Sequence, residues 1–330
     1  MAYCKDDLID FGERIEVSKN KKVEDLRRFA KEMKEGDIVI LRTGTNFVHA
    51  IGIISGKYSW NELFSDVDGW DLQHVRRVKW VWDKSLNGGK PKEFPTNSLK
   101  QGDTTQLLGT LPLRTPVLNW LESLKLNYEE VSLKVKDLPK ISKEVTLDQI
   151  GEFLFGKGVS SNSIENLKEV IDDLQMIARW YDNDSNLEPS EFETEAYLII
   201  PILRKLGWTP QKMALEYKSE KERGNRIDIA LFSNLPRSIE NIVALIEAKR
   251  KGNSVFHAFQ QAKDYAKAKP AINRLIVTDG IRYGVYLKRG EIWSLHAYMN
   301  LTRFQKKYKI YACLGILEAL WVMSPEWTKG

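Results

Sequence analysis

The stretch IVALIEAK at residues 242–249 constrains this chain more than any other. An unbroken apolar run of this length, bounded by polar residues, fits a strand covered on both faces of a sheet. It ends in Glu247-Ala248-Lys249, so two charges stand where a buried strand emerges. Charges there are desolvated at a cost unless they are paired or hold a metal ion. Side chains alternate along a strand, so Glu247 and Lys249 point to the same side.

The flanking sequence alternates in a way that suits such a sheet. EFETEAYLIIPILRKLGW (191–208) predicts a helix, with Ser190 as N-cap and acids in the first turn. RIDIALF (226–232) predicts a strand and VFHAFQQAKDYAKA (255–268) a helix. RLIVTDGIRYGVYLK (274–288) reads as strand, Asp-Gly turn, strand. Helix, strands, crossover helix and strand in that order predict an α/β sandwich.

Upstream, VEDLRRFAKEMK (23–34) has helical periodicity, and Gly36-Asp37 breaks it. IVIL (38–41), the turn TGTN, FVHAIGII (47–54) and HVRRVKWVW (74–82) follow as strands around a turn, predicting a small mixed domain with a β core. Residues 87–105 have loop composition, and 115–182 read mainly as helices. In SIENLKEVIDDLQMIARWY (163–181), Ile164, Leu167, Ile171, Leu174, Ile177 and Trp180 recur at helical spacing, as in a core or connector helix. The tail from Leu301 is mostly helical in pattern. The expected organisation is an α+β multidomain chain: a first domain with its linker over 1–125, a helical connector over 126–185, and an α/β domain over 186–330.

Composition narrows the function classes. Lys and Arg total 50 against 45 acids, a formal charge of +5 that permits nucleic acid binding without demanding it. The two cysteines, Cys4 and Cys313, have no metal-ligand spacing and form no disulfide framework, which argues against a structural zinc site and fits a reducing compartment. The start lacks an apolar secretory core, and the longest apolar run, 310–323, contains Glu318 and is too short to span a bilayer. The expectation is a soluble, cytoplasmic protein with no membrane association. No GxxxxGK[ST] phosphate loop is present, so a motor is not expected in this chain.

Phosphodiester hydrolysis needs carboxylates to hold a divalent cation, a cation to activate water, and a positive group beside the developing charge. Mg²⁺ suits that role because it takes a few oxygen ligands and keeps water. Asp228 on one strand, followed by Glu247 and Lys249 at the end of the next, supplies those parts. Glu191 and Glu195 lie one helical turn apart, so both share a face and either can add a carboxylate. E-x-K alone is a weak signal, since chance gives on the order of one or two per chain of this size. Three occur: Glu32/Lys34, Glu216/Lys218 and Glu247/Lys249. The first lies in an amphipathic helix and the second precedes Asp228. Only the third ends a buried strand that follows a strand aspartate. Its bland reading is a strand-end ion pair facing solvent.

From Ser190 to about Leu287 the chain resembles the N-terminal nuclease region of type I restriction enzyme R subunits, a PD-(D/E)XK fold. SEFETEAYLIIPILRKLGW, RIDIALF, LIEAK, QQAKDYA and LIVTDGIRYGVYL carry the likeness. It implies Asp228, Glu247 and Glu191 as Mg²⁺ ligands, with Glu195 as the second choice for the helix acid. It implies Lys249 as the group that orients water or steadies the phosphate. Gln261 and Tyr265 match a QxxxY element beside the site in part of that superfamily. Ile227, not Pro, precedes the aspartate.

FAKEMKEGDIVIL, HAIGIISGKY and HVRRVKWVW resemble an EVE-type domain of the PUA-like superfamily, a β-barrel, over roughly residues 1–86. Some such domains read modified bases in DNA by flipping the base into an aromatic pocket. Stacking contributes on the order of 1–3 kcal/mol per base. Tyr58, Trp60, Trp70, Trp80 and Trp82 are the pocket candidates, although Trp80 and Trp82 share a strand face and can equally be core. Arg76, Arg77 and Lys79 are placed to meet DNA phosphates. His49 and His257 read as packed residues. Together the two resemblances imply a modification-dependent (type IV-like) restriction endonuclease acting on double-stranded DNA, with one site per chain and hence a homodimer, or transient pairing of two chains, for a double-strand cut. The rival readings are a nucleic-acid-binding module with an inert nuclease fold, and a nuclease whose first domain binds RNA or a protein.

Overall fold

The structure is a computed structural model that describes residues 25–69, 72–94, 99, 105–125, 140–183, 189–218, 226–251, 255–267, 269 and 271–327. The chain divides into two compact units, one of Met1–Ser65 with Trp70–Leu138 and one of Asp66–Gly69 with Pro139–Gly330.

The described residues of the first unit begin with a helical stretch whose last turn, Arg28–Glu32, is π-helical. β1 (Ile38–Thr43) and β2 (Phe47–Ile54) form an antiparallel hairpin, as the Gly-containing turn predicts. β3 (Ser59–Trp60) and β4 (His74–Val75) make a separate two-stranded ribbon, while β5 (Val78–Asp83) and β6 (Lys92–Glu93) both pair with β2. Helix α1 (Leu111–Ser123) buries Val117 and Leu121 against Val48, Ile51, Trp82 and Phe94. Among the described residues this is a small antiparallel sheet, and no closed barrel is formed. Closure needs the outer strands to pair with each other, and among the described residues β1 pairs with β2 alone.

Trp80 and Trp82 were expected on one strand face. A bulge between them, where Ile51 faces Trp82 and Gly52 faces Trp80, breaks the alternation. Trp82 is buried in the core, and Trp80 is 48% exposed.

In the second unit, α2 (Leu147–Gly156) starts at Thr146 through a capping box with Gln149. α3 (Ser161–Asn183) buries Ile164, Leu167, Ile171 and Leu174. Farther along, Ala178 and Tyr181 hold the core positions, and Trp180 projects into solvent. α4 runs as Glu191–Thr194, a π-helical turn Glu195–Ile199, and Ile200–Lys205. Ser190 caps it as predicted, with Glu193 closing the box. Pro201 has no N–H to give and its ring crowds the carbonyl four residues back, which accounts for the widened turn before it.

The sheet contains β7 (Met213–Tyr217), β8 (Ile227–Phe232), β9 (Ile242–Ala248), β10 (Arg274–Thr278), β11 (Arg282–Arg289), β12 (Ile292–Asn300), β13 (Lys307–Tyr308) and β14 (Cys313–Leu314). Their order across it is β13-β14-β12-β11-β10-β9-β8-β7. β9 and β10 are parallel, joined through α5 (Ala258–Ala266), and β8 runs antiparallel to both of its neighbours, β7 and β9. One face packs against α2, α3, α4 and α6 (Ile316–Met323), and the other against α5. The expected α/β sandwich is therefore present.

The tail differs from its helical reading. β13 and β14 add to the sheet edge, and among the described residues of the tail only α6 is an α-helix. Ladder partners on β12 outweigh the local pattern, and Gly315 seats its backbone against Gln305 with no room for a Cβ.

Candidate active site

β8 and β9 bring the predicted residues together. Ile229 lies opposite Ile246, which sets Asp228 beside Glu247. Asp228 Oδ2 accepts from the Ala248 N–H at 2.6 Å. Lys249 follows β9, and its N–H continues the ladder by donating to the Thr278 carbonyl at 2.8 Å. Its Nζ donates to Glu247 Oε1 at 2.6 Å and to Gln261 Oε1 on α5 at 3.3 Å. Glu247 is 1% exposed, and its Oε2 is buried with no hydrogen-bond partner.

α4 contributes the acids from the other side. Glu195 sits at the start of the π-helical turn and is buried, whereas Glu191 is the first residue of the helix and stays exposed. Burial, with the charges of Asp228, Glu216, Glu191 and Glu247 adding to it, pushes the Glu195 carboxyl up to about 7. Burial likewise pushes Glu247 up to about 7, against the opposing hydrogen bond from Lys249. Asp228 is raised by burial in spite of the Ala248 hydrogen bond. Glu191 raises all three through its charge, so both helix acids bear on the centre and Glu195 is the one built into it.

Glu216 was set aside on sequence grounds as a chance E-x-K. Pairing of Leu215 with Ile229 and Tyr217 with Ile227 places it across from Asp228. Its φ of 49° is rare for a residue with a side chain, and Arg226 holds its carboxylate at 2.6 Å. Its position follows from strand register, and E-x-K spacing carries no information about that. Tyr265 is buried, its hydroxyl donating to the Tyr217 carbonyl at 3.3 Å, so it packs α5 onto the sheet.

A hard divalent cation fits this donor set. It is all oxygen, it carries more negative charge than Lys249 neutralises, and Glu247 Oε2 is a buried acceptor without a donor. Among the described residues no three His, Cys, Asp or Glu side chains are drawn together as a ready-made cage. Mg²⁺ does not require one, since it is commonly held by one or two carboxylates with waters and substrate phosphates. Asp228, Glu247 and Glu195 are the residues that would hold it.

The four pocket candidates among the described residues of the first unit do not form one cluster. Tyr58 and Trp60 gather around His74, which the sequence reading missed. The Tyr58 hydroxyl is 2.9 Å from His74 Nδ1, and Trp60 meets the imidazole edge-on at 4.9 Å between centroids. Trp60 Nε1 donates to Glu62 at 2.5 Å. Trp80 and Trp82 are not in this cluster, since Trp82 is core and Lys92 Nζ lies 5.0 Å from its ring. Trp70 lies outside the described residues. Arg76 donates to the carbonyls of Phe29 and Ala30 and stacks 6.0 Å from Tyr58. Arg77 packs against Gly56, and Lys79 lies across from Ile53.

Residues 212–288 match the family described as the type I restriction enzyme R protein N terminus. This segment is related to the nuclease region of those R subunits. It contains Asp228, Glu247, Lys249 and Gln261, while Glu195 lies upstream of it. Residues 5–101 match a domain of unknown function, DUF8426. A solved fragment named for the HsdR subunit of a type I restriction enzyme from Vibrio vulnificus YJ016 is 25% identical over 36% of this chain and 24% of that chain, with a TM-score of 0.28. At that TM-score the likeness carries no structural argument. No curated protein matches the chain. Among the described residues no helix is long and apolar enough to cross a membrane.

Proposed function

We propose that the chain is a Mg²⁺-dependent DNA endonuclease directed to DNA that carries modified bases. The observation that carries the catalytic half is the unpartnered Oε2 of Glu247, buried beside Asp228 and Lys249 in the restriction-enzyme-related segment. A bound Mg²⁺ supplies charge neutralisation at the scissile phosphate and a water of lowered pKa. Asp228, Glu247 and Glu195 would hold it, with Glu191 at the solvent rim. Lys249 orients the attacking water or steadies the phosphate, and its contact with Gln261 fixes its reach. The raised carboxyls of Glu195 and Glu247 mean that cation binding releases protons, so the centre assembles more readily above pH 7 than below it.

The modified-base half rests on the Tyr58, Trp60 and His74 cluster, whose stacked and edge-on rings are the surfaces a flipped base needs. One catalytic centre per chain calls for two copies to cut both strands, so the working form is a homodimer. In this reading the first compact unit binds the base, and the second, in which α2 and α3 pack on the sheet, carries the nuclease centre. The test is cleavage with Mg²⁺ of two matched DNAs, one native and one with heavily modified cytosines. Selective cutting of the modified DNA supports both halves. Equal cutting removes the base-reading half, and binding of either DNA without cutting favours a recognition module.

A further inference from the structure

The geometry assigns Asp66, far from the restriction-related segment in sequence, the role of a positioning residue for the proposed cutting centre. This rests on the endonuclease reading above. Asp66–Gly69 is part of the second compact unit, although the chain on both sides of it belongs to the first. Asp66 is 7% exposed, and every partner of its carboxylate there is a donor. Arg282 Nε donates to Oδ1 at 3.0 Å, Asn300 Nδ2 to Oδ2 at 2.8 Å, and the Tyr298 hydroxyl lies 3.2 Å from both oxygens. The backbone is fastened as well. The Asp68 N–H donates to the Tyr311 hydroxyl at 2.6 Å, and that hydroxyl donates to the Asp66 carbonyl at 3.2 Å.

The anchored segment braces two elements that hold the centre. Arg282, gripped by Asp66, also reaches Asp279 at 3.4 Å and Asp182 at 3.3 Å. Asp279 Oδ1 accepts from the N–H groups of Ile281 and Arg282, which shapes the turn between β10 and β11. Thr278, at the start of that turn, offers the carbonyl that fixes Lys249. Gly280, within it, lies so close to α4 that a Cβ would fall 2.7 Å from Thr194 and 2.8 Å from Leu198, on either side of Glu195 in sequence. The second brace is Asp68, whose Oδ1 accepts from the Val255 N–H at 3.0 Å just before α5, the helix that presents Gln261. Lys249, Glu195 and Gln261 thus lean on elements tied to one tetrapeptide. Small displacements of such groups cost rate steeply, because the reacting geometry tolerates little error.

Asp66→Asn in the full chain tests this. The amide keeps the size but turns an N–H₂ toward donors and removes the charge facing Arg282. Amide hydrogen exchange reads the effect directly. Protection at Lys249, Ile281 and Arg282 is expected to fall at least tenfold while Ile246, in the middle of β9, keeps its protection. The cleavage rate at saturating DNA is expected to fall at least tenfold with the Kd for DNA unchanged. Ile171→Ala, in the α3 core, is the comparison for plain stability loss, and it lowers sheet protection generally without slowing cutting well below its Tm. Should Asp66→Asn fail to fold, Arg282→Lys is read the same way, since it keeps the charge and loses the forked contact. Intact Lys249 protection in the variant overturns the proposal. So does a loss shared equally by Ile246, or a local loss with wild-type cutting. Exchange is measurable even in a chain that does not cut, so failure of the endonuclease reading is distinguishable from failure of this one.

Discussion

Glu195→Gln should make the metal-free protein more stable at alkaline pH while abolishing its cutting. The buried carboxyl titrates near 7 in the folded chain against an ordinary value of 4.5. A folded-state pKa raised in this way favours folding fully below about 4.5, and that contribution is lost as pH rises through about 7. The separation corresponds to about 3 kcal/mol, an upper value because Glu247 titrates over the same range. Glutamine is neutral at every pH and carries none of this loss. The stability advantage of the variant over wild type should therefore grow by about 2 kcal/mol between pH 5 and pH 8. Urea unfolding in EDTA at several pH values measures it through the midpoint at constant m. Mg²⁺ should restore wild-type stability at pH 8 and do much less for the variant. A difference that stays constant from pH 5 to pH 8, or a variant less stable at pH 8, would refute the reasoning that burial and neighbouring acids load this carboxyl.

Two further predictions concern packing. Gly315→Ala places a Cβ 1.9 Å from the Gln305 carbonyl oxygen, a backbone atom that no rotamer change can move, and should cost about 3 kcal/mol in urea unfolding. Arg274→Ala strips buried donors from the Val322 and Ser324 carbonyls at the end of α6 and empties the space between Trp208 and Trp327; the expected loss is about 3 kcal/mol or more, read as a lower Tm.

The order of elements from α4 to β11 was legible, apart from β7, because the others have strong local signatures, whereas the edge strand β7 (MALEY) has no such pattern and gains its place by pairing with β8. The apolar run of β9, the Asp-Gly turn before β11 and the Ser190 capping box are all short-range. Asp228, Glu247 and Lys249 were legible for the same reason, since strand alternation fixes their sides once the strands are known. Glu195 and Glu191 were seen to share a face, but which one is buried depends on where α4 runs past the sheet. Glu216 and Asp66 had no local signal at all. One gains its place from antiparallel register, the other from contacts with residues more than 200 positions away. The bulge that parts Trp80 from Trp82 is equally invisible to a period-of-two reading, because one extra residue inverts every face beyond it. The edge strands of the tail were missed because their partners, not their own residues, make them strands.

The most direct test of the central claim is plasmid or modified-DNA cleavage by the full chain with Mg²⁺ and with EDTA, wild type beside Lys249→Ala. Strand cleavage by wild type that needs Mg²⁺ and falls at least a hundredfold in the variant, with DNA affinity retained, is the predicted result. Cleavage that survives EDTA, or that Lys249→Ala performs as fast as wild type, would contradict the assignment of the cutting centre to Asp228, Glu247 and Lys249.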